Sequence, residues 1–592
     1  MNHDDIAKSI LGMAEALRKQ DPPKLKMAIK CARSALKLQT SDEMTAVCNY
    51  QLGKLLFFYT DNHDLSRGHL QIAYDKFTVM GAFYEEERMQ AISIIADLHI
   101  YYQTWSHASI KNALRHEIAT SRGYPVLTYK LIFQLIELLK IDKDFNGAME
   151  ICAAAINQCQ HDPKMELYFR ITRVLVSYQL MQKGPDQNET TKIGSMIKAM
   201  EDNPAEKAHV ECIKDFFVCT KLSYMFYDGQ SRTSRQFLRQ IQRSHANVPS
   251  KVVGIRWLGD TSMTVFACVL NIVGALVQSN SDRVEKYFHL AMKHADEILF
   301  KSTRTPQEPG VVRCINMIKM TTLEMMACCN VMACRPQKTL LNVRDMLEMS
   351  SRASGPQLFR YFAPHIQYIL GLQSCYFRYN EIAEKHFQSA IKMLECSDQE
   401  KKTSVALLNL NLAMTYLNQL KIKEFYEVFE NLTEKKLEHC SQMVKNNWKL
   451  LSAFFAYLKS KPVECRSLVH EVLHDSKAED FFRLHGLALL LMSLIDAIDE
   501  QGVKPTIDWS KKSHDHVVIL WSHNLYERIL CTAGEDPNSE KMQMVLAEQQ
   551  KSVNALNVDN LVPQVANMPI GKLLQWYEGD PFKLLPRDEV VL

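Results

Sequence analysis

Apolar positions recur with a helical period through almost the whole chain. Ile29, Ala32, Ala35 and Leu36 form one stripe, Leu52, Leu55, Leu56 and Tyr59 a second, and Ile132, Leu135, Ile136 and Leu139 a third. Spacings of three and four place each set on one helix face, and the pattern continues to Leu520, Leu525 and Ile529. No stretch alternates cleanly between turn signals, so a sheet is not expected.

The stretch YILGLQSCYFRYNEIAEKHFQSAIKML, residues 368–394, shows how these helices pair. On the 34-residue tetratricopeptide (TPR) pattern, Leu370 and Gly371 occupy positions 7 and 8, Ala383 position 20, Phe387 position 24 and Ala390 position 27. Gly371 and Ala383 are where the two helices of one hairpin cross closely, and Ala390 is where the next hairpin leans. The comb of small, large and small residues at 0, +4 and +7 recurs at Ser66, Leu70 and Ala73, after Gln51-Leu52-Gly53. It recurs at Ala148, Cys152 and Ala155; at Val284, Phe288 and Ala291; and at Cys465, Val469 and Val472. Each copy follows an apolar helix. The expected fold class is therefore all-α, an α-solenoid superhelix of degenerate TPR-like hairpins.

Pattern breaks mark candidate linkers at 183–191, 229–259, 301–310 and 532–540, and the first widens to an irregular segment near 183–206. The expected organisation is a single superhelix over 1–550, followed by a cap or mobile tail over 551–592, where the period fades.

Composition agrees with helices: the 592 residues include only 20 Gly and 19 Pro, with 47% hydrophobic and 23% charged residues. A net charge of +3 is too small for binding of nucleic acid or a membrane surface by overall field. The 16 cysteines are dispersed, form no Cys-x-x-Cys pair, and include Cys152 with Cys159 and Cys212 with Cys219, seven apart on helix faces. This is the usage of buried thiols in a reducing compartment, cytosol or nucleus. The start, MNHDDIAKSI, has no signal-peptide pattern, and the longest apolar run, 265–277, is interrupted by Asn271 and too short to span roughly 30 Å of hydrocarbon.

Chemistry has one lure. His470-Glu471-Val472-Leu473-His474 is an H-E-x-x-H, which in zinc proteases puts two imidazoles one turn apart beside a basic carboxylate. Val472, however, is a comb position, which makes His470 and His474 flank the packing face, and the extended zinc motif does not continue through Lys477 and Asp480. No phosphate loop, dinucleotide fingerprint or nucleophile elbow is present. The expectation is no catalytic residue, no metal, no cofactor and no small-molecule substrate.

Two surfaces remain. Arg232, Arg235, Arg239 and Arg243 fall three, four and four apart, a basic row with His245 and Lys251 nearby that suits phosphate or carboxylate groups; the alternative is a solvated face offset by acidic neighbours. Stacked hairpins also leave a groove lined by their first helices. The TPR register assigns to it Tyr50, Gln51 and Lys54, then Phe133, Gln134 and Glu137, then Tyr368, then Asn411 and Met414. Gln51, Gln134 and Asn411 are the strongest of these, because an amide side chain can both donate to and accept from a peptide backbone.

Five segments in order complete the picture: DPPKLKMAIKCARSAL, QLGKLLFFYTDNHDLSRGHLQIAYDKF, RWLGDTSMTVFACVLNIVGALV, AEDFFRLHGLALLLMSLI and VILWSHNLYERIL. Together they resemble the MAU chromatid cohesion factor family, the TPR subunit of the cohesin loader, through most of residues 10–550. The resemblance implies a nuclear, chromatin-associated, non-catalytic protein that wraps the extended N-terminal segment of the loader's large HEAT-repeat subunit. Cohesin and chromatin would be met through that heterodimer, with DNA contact and ATPase stimulation belonging to the large subunit and to cohesin. The competing reading is a cargo or chaperone adaptor that binds acidic peptides through the arginine row.

Overall fold

The structure, a computed structural model, describes the chain apart from residue 1 and residues 103–104, 122, 181–185, 203–206, 245–257, 305–308, 352–354, 397–401, 439, 497–499, 511, 513–514, 557–564, 566 and 586–592. The hairpin of Gly355–Tyr376 and Asn380–Cys396 shows how its helices are joined. Arg378 takes φ 59°, in the left-handed region, and this turns the chain back on itself. The amide of Tyr379 then donates to the carbonyl of Ser374 at 2.9 Å and that of Arg378 to Cys375 at 3.0 Å, capping carbonyls that the helix leaves open. The same turn recurs at Lys143, Ser279, Cys334, Leu420, Ser460 and Asp480, with φ between 54° and 62°. At each, the following amide reaches back five residues, as in Asp144 to Leu139 at 2.9 Å and Lys461 to Ala456 at 3.0 Å.

The comb residues hold the hairpins shut. Every position of the five combs is buried except Phe288, which is half-buried. A Cβ built on Gly371 would lie 2.6 Å from the ring of Phe387, and one on Gly53 would lie 2.6 Å from Leu70, so in both hairpins a glycine of the first helix admits the large comb residue of the second. Ser66 adds a hydrogen bond from its hydroxyl to the Gly53 carbonyl at 2.8 Å. Helix starts are capped in the usual way, by Ser41 on the Met44 amide and Asp144 on the Gly147 amide.

No strand occurs among the described residues, which are overwhelmingly helical, as the period predicts. They form two compact units. The first holds the described residues of 1–220, 248–259 and 297–316, and the second those of 221–247, 260–296 and 317–592. Each unit stacks its own hairpins. A continuous core runs through the first from Ala46 to Phe217. The second has several adjoining cores, centred on Val343 and Phe362, on Phe387 and Phe425, and on Val469 and Phe481.

Two expected linkers contain helices. Gln187–Glu201 is helical within 183–206, capped by Asp186 and anchored by buried Ile193 and Ile197. Ser231–Ser244 is helical within 229–259. Glycine, proline and polar residues around these helices concealed their short apolar stripes. Cys152, Cys159 and Cys219 are buried, and burial pushes the Cys152 thiol up to about 12. No described helix is long and apolar enough to cross a membrane.

Candidate partner-binding groove

The first two hairpins leave an open cleft. Their first helices, His3–Arg18 and Asp42–Tyr59, run side by side and enclose a volume of about 720 Å³, within the range of sites that hold ligands. Leu11, Val47 and Leu55 supply apolar lining, and Arg18, Gln51 and Lys54 supply polar groups. Arg18 is fixed from two sides: its guanidinium donates to the Glu15 carboxylate at 2.5 and 2.7 Å, and to the Tyr59 hydroxyl at 3.0 Å. That pairing holds the Glu15 carboxyl down at about 2. Lys54 extends over the Tyr50 ring, 4.8 Å from its centroid, and burial lowers its ammonium below the ordinary lysine value. A cleft with an apolar floor and fixed donors of both side-chain types fits an extended peptide better than a small polar molecule.

Gln51 and Lys54 therefore stand where the register put them, on the open side. Tyr50 does not: it is 3% exposed, and its hydroxyl donates to Gln90 of the neighbouring hairpin. Gln134 is also buried, donating to the Ser93 carbonyl at 2.9 Å and the Asp97 carboxylate at 2.6 Å. These two correct the expectation that they face a partner: the helix Glu85–Tyr101, which follows Tyr50 and precedes Gln134, covers them both. Phe133 stacks on Phe169 with centroids 4.5 Å apart, and exposed Glu137 pairs with Lys140 at 2.7 Å. Tyr368 and Asn411, from the successive helices Gly355–Tyr376 and Lys402–Asn418, are brought together. Burial raises the Tyr368 phenol and a hydrogen bond with Asn411 opposes that rise, while Asn411 donates to the Leu407 carbonyl at 2.8 Å. Met414 remains exposed at 38%.

The arginine row is partly spent. Arg235 pairs with Asp480 at 2.7 Å, and the Arg232 backbone amide donates to Glu479 at 3.2 Å. The Arg232 and Arg239 side chains are exposed. The Arg243 side chain, His245 and Lys251 lie outside the described residues.

In the H-E-x-x-H stretch, Val472 is fully buried while His470 and His474 are exposed on either side of it. Glu471 pairs with Lys449 at 2.7 Å and His474 lies 3.3 Å from Asp475. Among the described residues no three His, Cys, Asp or Glu side chains gather closely enough to hold a metal ion.

Missing from the expected groove were Leu11, Glu15 and Arg18 of the first hairpin. Its signal was present: Ala28, Ala32 and Ala35, all fully buried, repeat the 0, +4, +7 spacing with small residues only.

Comparison with known proteins gives this geometry its context. Residues 11–536 match the model of a family described as cohesin loading factor. The chain is 68% identical to maternal uncoordinated protein 2 of Caenorhabditis elegans over the full length of both. It is 22% identical to the MAU2 chromatid cohesion factor homolog of Drosophila virilis, covering 97% of this chain and 92% of that one. Among solved structures, Scc4 in complex with Scc2n and Ctf19n shares the fold at 10% identity with a TM-score of 0.58, covering 93% of this chain and 97% of that one. A second structure, Scc4 in complex with Scc2n, aligns with a TM-score of 0.57 over 94% and 98% of the two chains. A stacked-hairpin fold with an open cleft on its first helices, and a family match over most of its length, lead to one assignment: the chain belongs to the cohesin loading factor family.

Proposed function

We propose that this protein is the non-catalytic scaffold subunit of a cohesin-loading complex, holding an extended N-terminal segment of the large HEAT-repeat loader subunit along the first helices of its hairpins. It works in the nucleus on chromatin. The observation that carries the reading is the cleft of Arg18, Gln51 and Lys54 between His3–Arg18 and Asp42–Tyr59, in a chain that shares its fold with Scc4 solved in complex with Scc2n. A peptide laid there meets an apolar floor for its side chains and amide or cationic groups for its carbonyls and carboxylates. Capture of a flexible chain by such a surface couples binding to ordering, so the complex is more stable than the free subunit.

The test is binding of a labelled peptide from the N-terminal segment of the large subunit, followed by anisotropy. Gln51→Ala with Lys54→Glu weakens it about tenfold or more, equivalent to roughly 1.4 kcal/mol, with unfolding of the free protein unchanged. Equal binding by the variant, or a complex that forms as well without that segment of the partner, overturns the reading. Loss of all partner binding on reversing Arg232, Arg235, Arg239 and Arg243 instead favours an acidic-peptide adaptor.

A further inference from the structure

The end of the chain returns to the middle of the second unit. Beyond the helix Glu540–Leu556, the short 3-10 turn Pro569–Gln575 and the residues around Trp576 lie against Pro336–Ser350, Gly355–Tyr376 and Asn380–Cys396, two hundred residues earlier. Leu573 is fully buried, Leu574 and Trp576 nearly so, and they join Leu340, Val343, Phe362 and Ile366 in one core. Phe359 packs against both Trp576 and Phe582, with centroids 5.9 and 5.1 Å away.

Side chains read the backbone of this segment. The Gln367 amide donates to the Trp576 carbonyl at 2.9 Å, and the Nε2 of His386 stands 2.8 Å from the Leu574 carbonyl. Both Gln367 and His386 are fully buried. The second ring nitrogen of His386 faces the Gln367 side-chain oxygen at 2.5 Å, so both nitrogens meet acceptors. A neutral imidazole has one donor, and burial keeps this one neutral, with its pKa pushed down to about 4. The segment adds no helix to any hairpin; the helices it covers are already paired, and its carbonyls are bonded by side chains as those of a bound peptide are.

We propose that the face built from Gln367, His386, Phe359 and Phe362 is a peptide-recognition site whose occupant is this chain's own segment 569–582, held in cis and releasable. The features it selects are two leucines and a tryptophan, with carbonyls presented to Gln367 and His386. Belonging to the same chain gives the segment a high effective concentration at its seat, so it stays seated even if a free peptide binds only moderately.

The test uses the full chain with a specific protease site placed within 557–564. After cleavage, a fluorescent peptide of residues 565–592 is added and its uptake followed by anisotropy, with helicity monitored by circular dichroism. Exchange of the labelled peptide into a protein of unchanged helicity is expected. A Trp576→Ala peptide binds about 100-fold more weakly, as loss of a buried tryptophan requires, and Gln367→Ala in the protein weakens the native peptide about tenfold. The proposal is overturned if the cleaved segment never exchanges, if its release collapses the helices, or if the Trp576→Ala peptide binds equally well. Each of those outcomes leaves the cleft of the first unit untouched, because no residue is shared.

Discussion

Gly371 and Phe387 are in contact across a hairpin so closely that the glycine has no room for a methyl group: its Cβ would meet three ring carbons at 2.6 to 2.9 Å. Phe387 is fully buried and cannot turn aside without disturbing Ala383 and Ala390 in the same core. Gly371→Ala should therefore destabilise the protein by about 1–3 kcal/mol, the cost of overpacking a dense core. Gly68, exposed in the helix His63–Met80 with nothing within 4 Å of its would-be Cβ, provides the contrast. Gly68→Ala should stabilise by about 0.5–1 kcal/mol through backbone entropy. Paired urea titrations measure both, and a shift of the same sign in the two variants contradicts the packing argument.

Leu420 holds a left-handed φ of 57° at a hairpin turn while 81% exposed. Its side chain contributes little burial to set against the steric cost of that conformation. Leu420→Gly should raise the urea midpoint, with a gain of about 0.5–1 kcal/mol. Phe481 N–H to Ser476 and its counterparts show that the turn is closed by backbone bonds, which glycine keeps. A lowered midpoint would mean that the leucine side chain itself secures the turn.

His99 and His485 are buried, and both have pKa values lowered to about 4. For His99 desolvation is the main cause, followed by His107 and Arg67; for His485 it is desolvation and then Lys477, opposed by a hydrogen bond that the ring donates to the Leu473 carbonyl. A folded-state value below the unfolded 6.5 means that the unfolded chain binds more protons between about pH 6.5 and 4, so stability falls as pH is lowered through that window. Each histidine accounts for about 2 kcal/mol of loss between pH 7 and pH 5. Replacing His485 with Gln should flatten the dependence of the unfolding midpoint on pH. An unchanged slope would show that His485 ionises as readily folded as unfolded.

The hairpins were legible in the sequence because their determinants are local. A 3.6-residue period selects the buried face of one helix, and a glycine at position 8 with a comb at positions 20, 24 and 27 closes it on the next, all within 34 residues. Gly371 and Phe387, and buried Val472 between two exposed histidines, are arranged as that rule requires, and Gly53 with Leu70 makes the same contact one residue out of that register. The family resemblance was legible for the same reason, since it follows the order of these segments.

The faces that the hairpins show to one another were not. Tyr50 and Gln134 occupy groove positions by register, yet their partners Gln90 and Ser93 lie 40 and 41 residues away and bury them. Arg235 belongs to a regular arginine row until Asp480, from a distant hairpin, takes its charge.

From the sequence alone came the all-α class, the hairpin register and the family, because short-range spacing specifies which face of each helix must leave water. Tertiary structure alone decided which polar side chains stay open in the first cleft and where Leu574 and Trp576 are seated. Those outcomes depend on contacts such as His386 with Leu574, 188 residues apart, for which a local period carries no information.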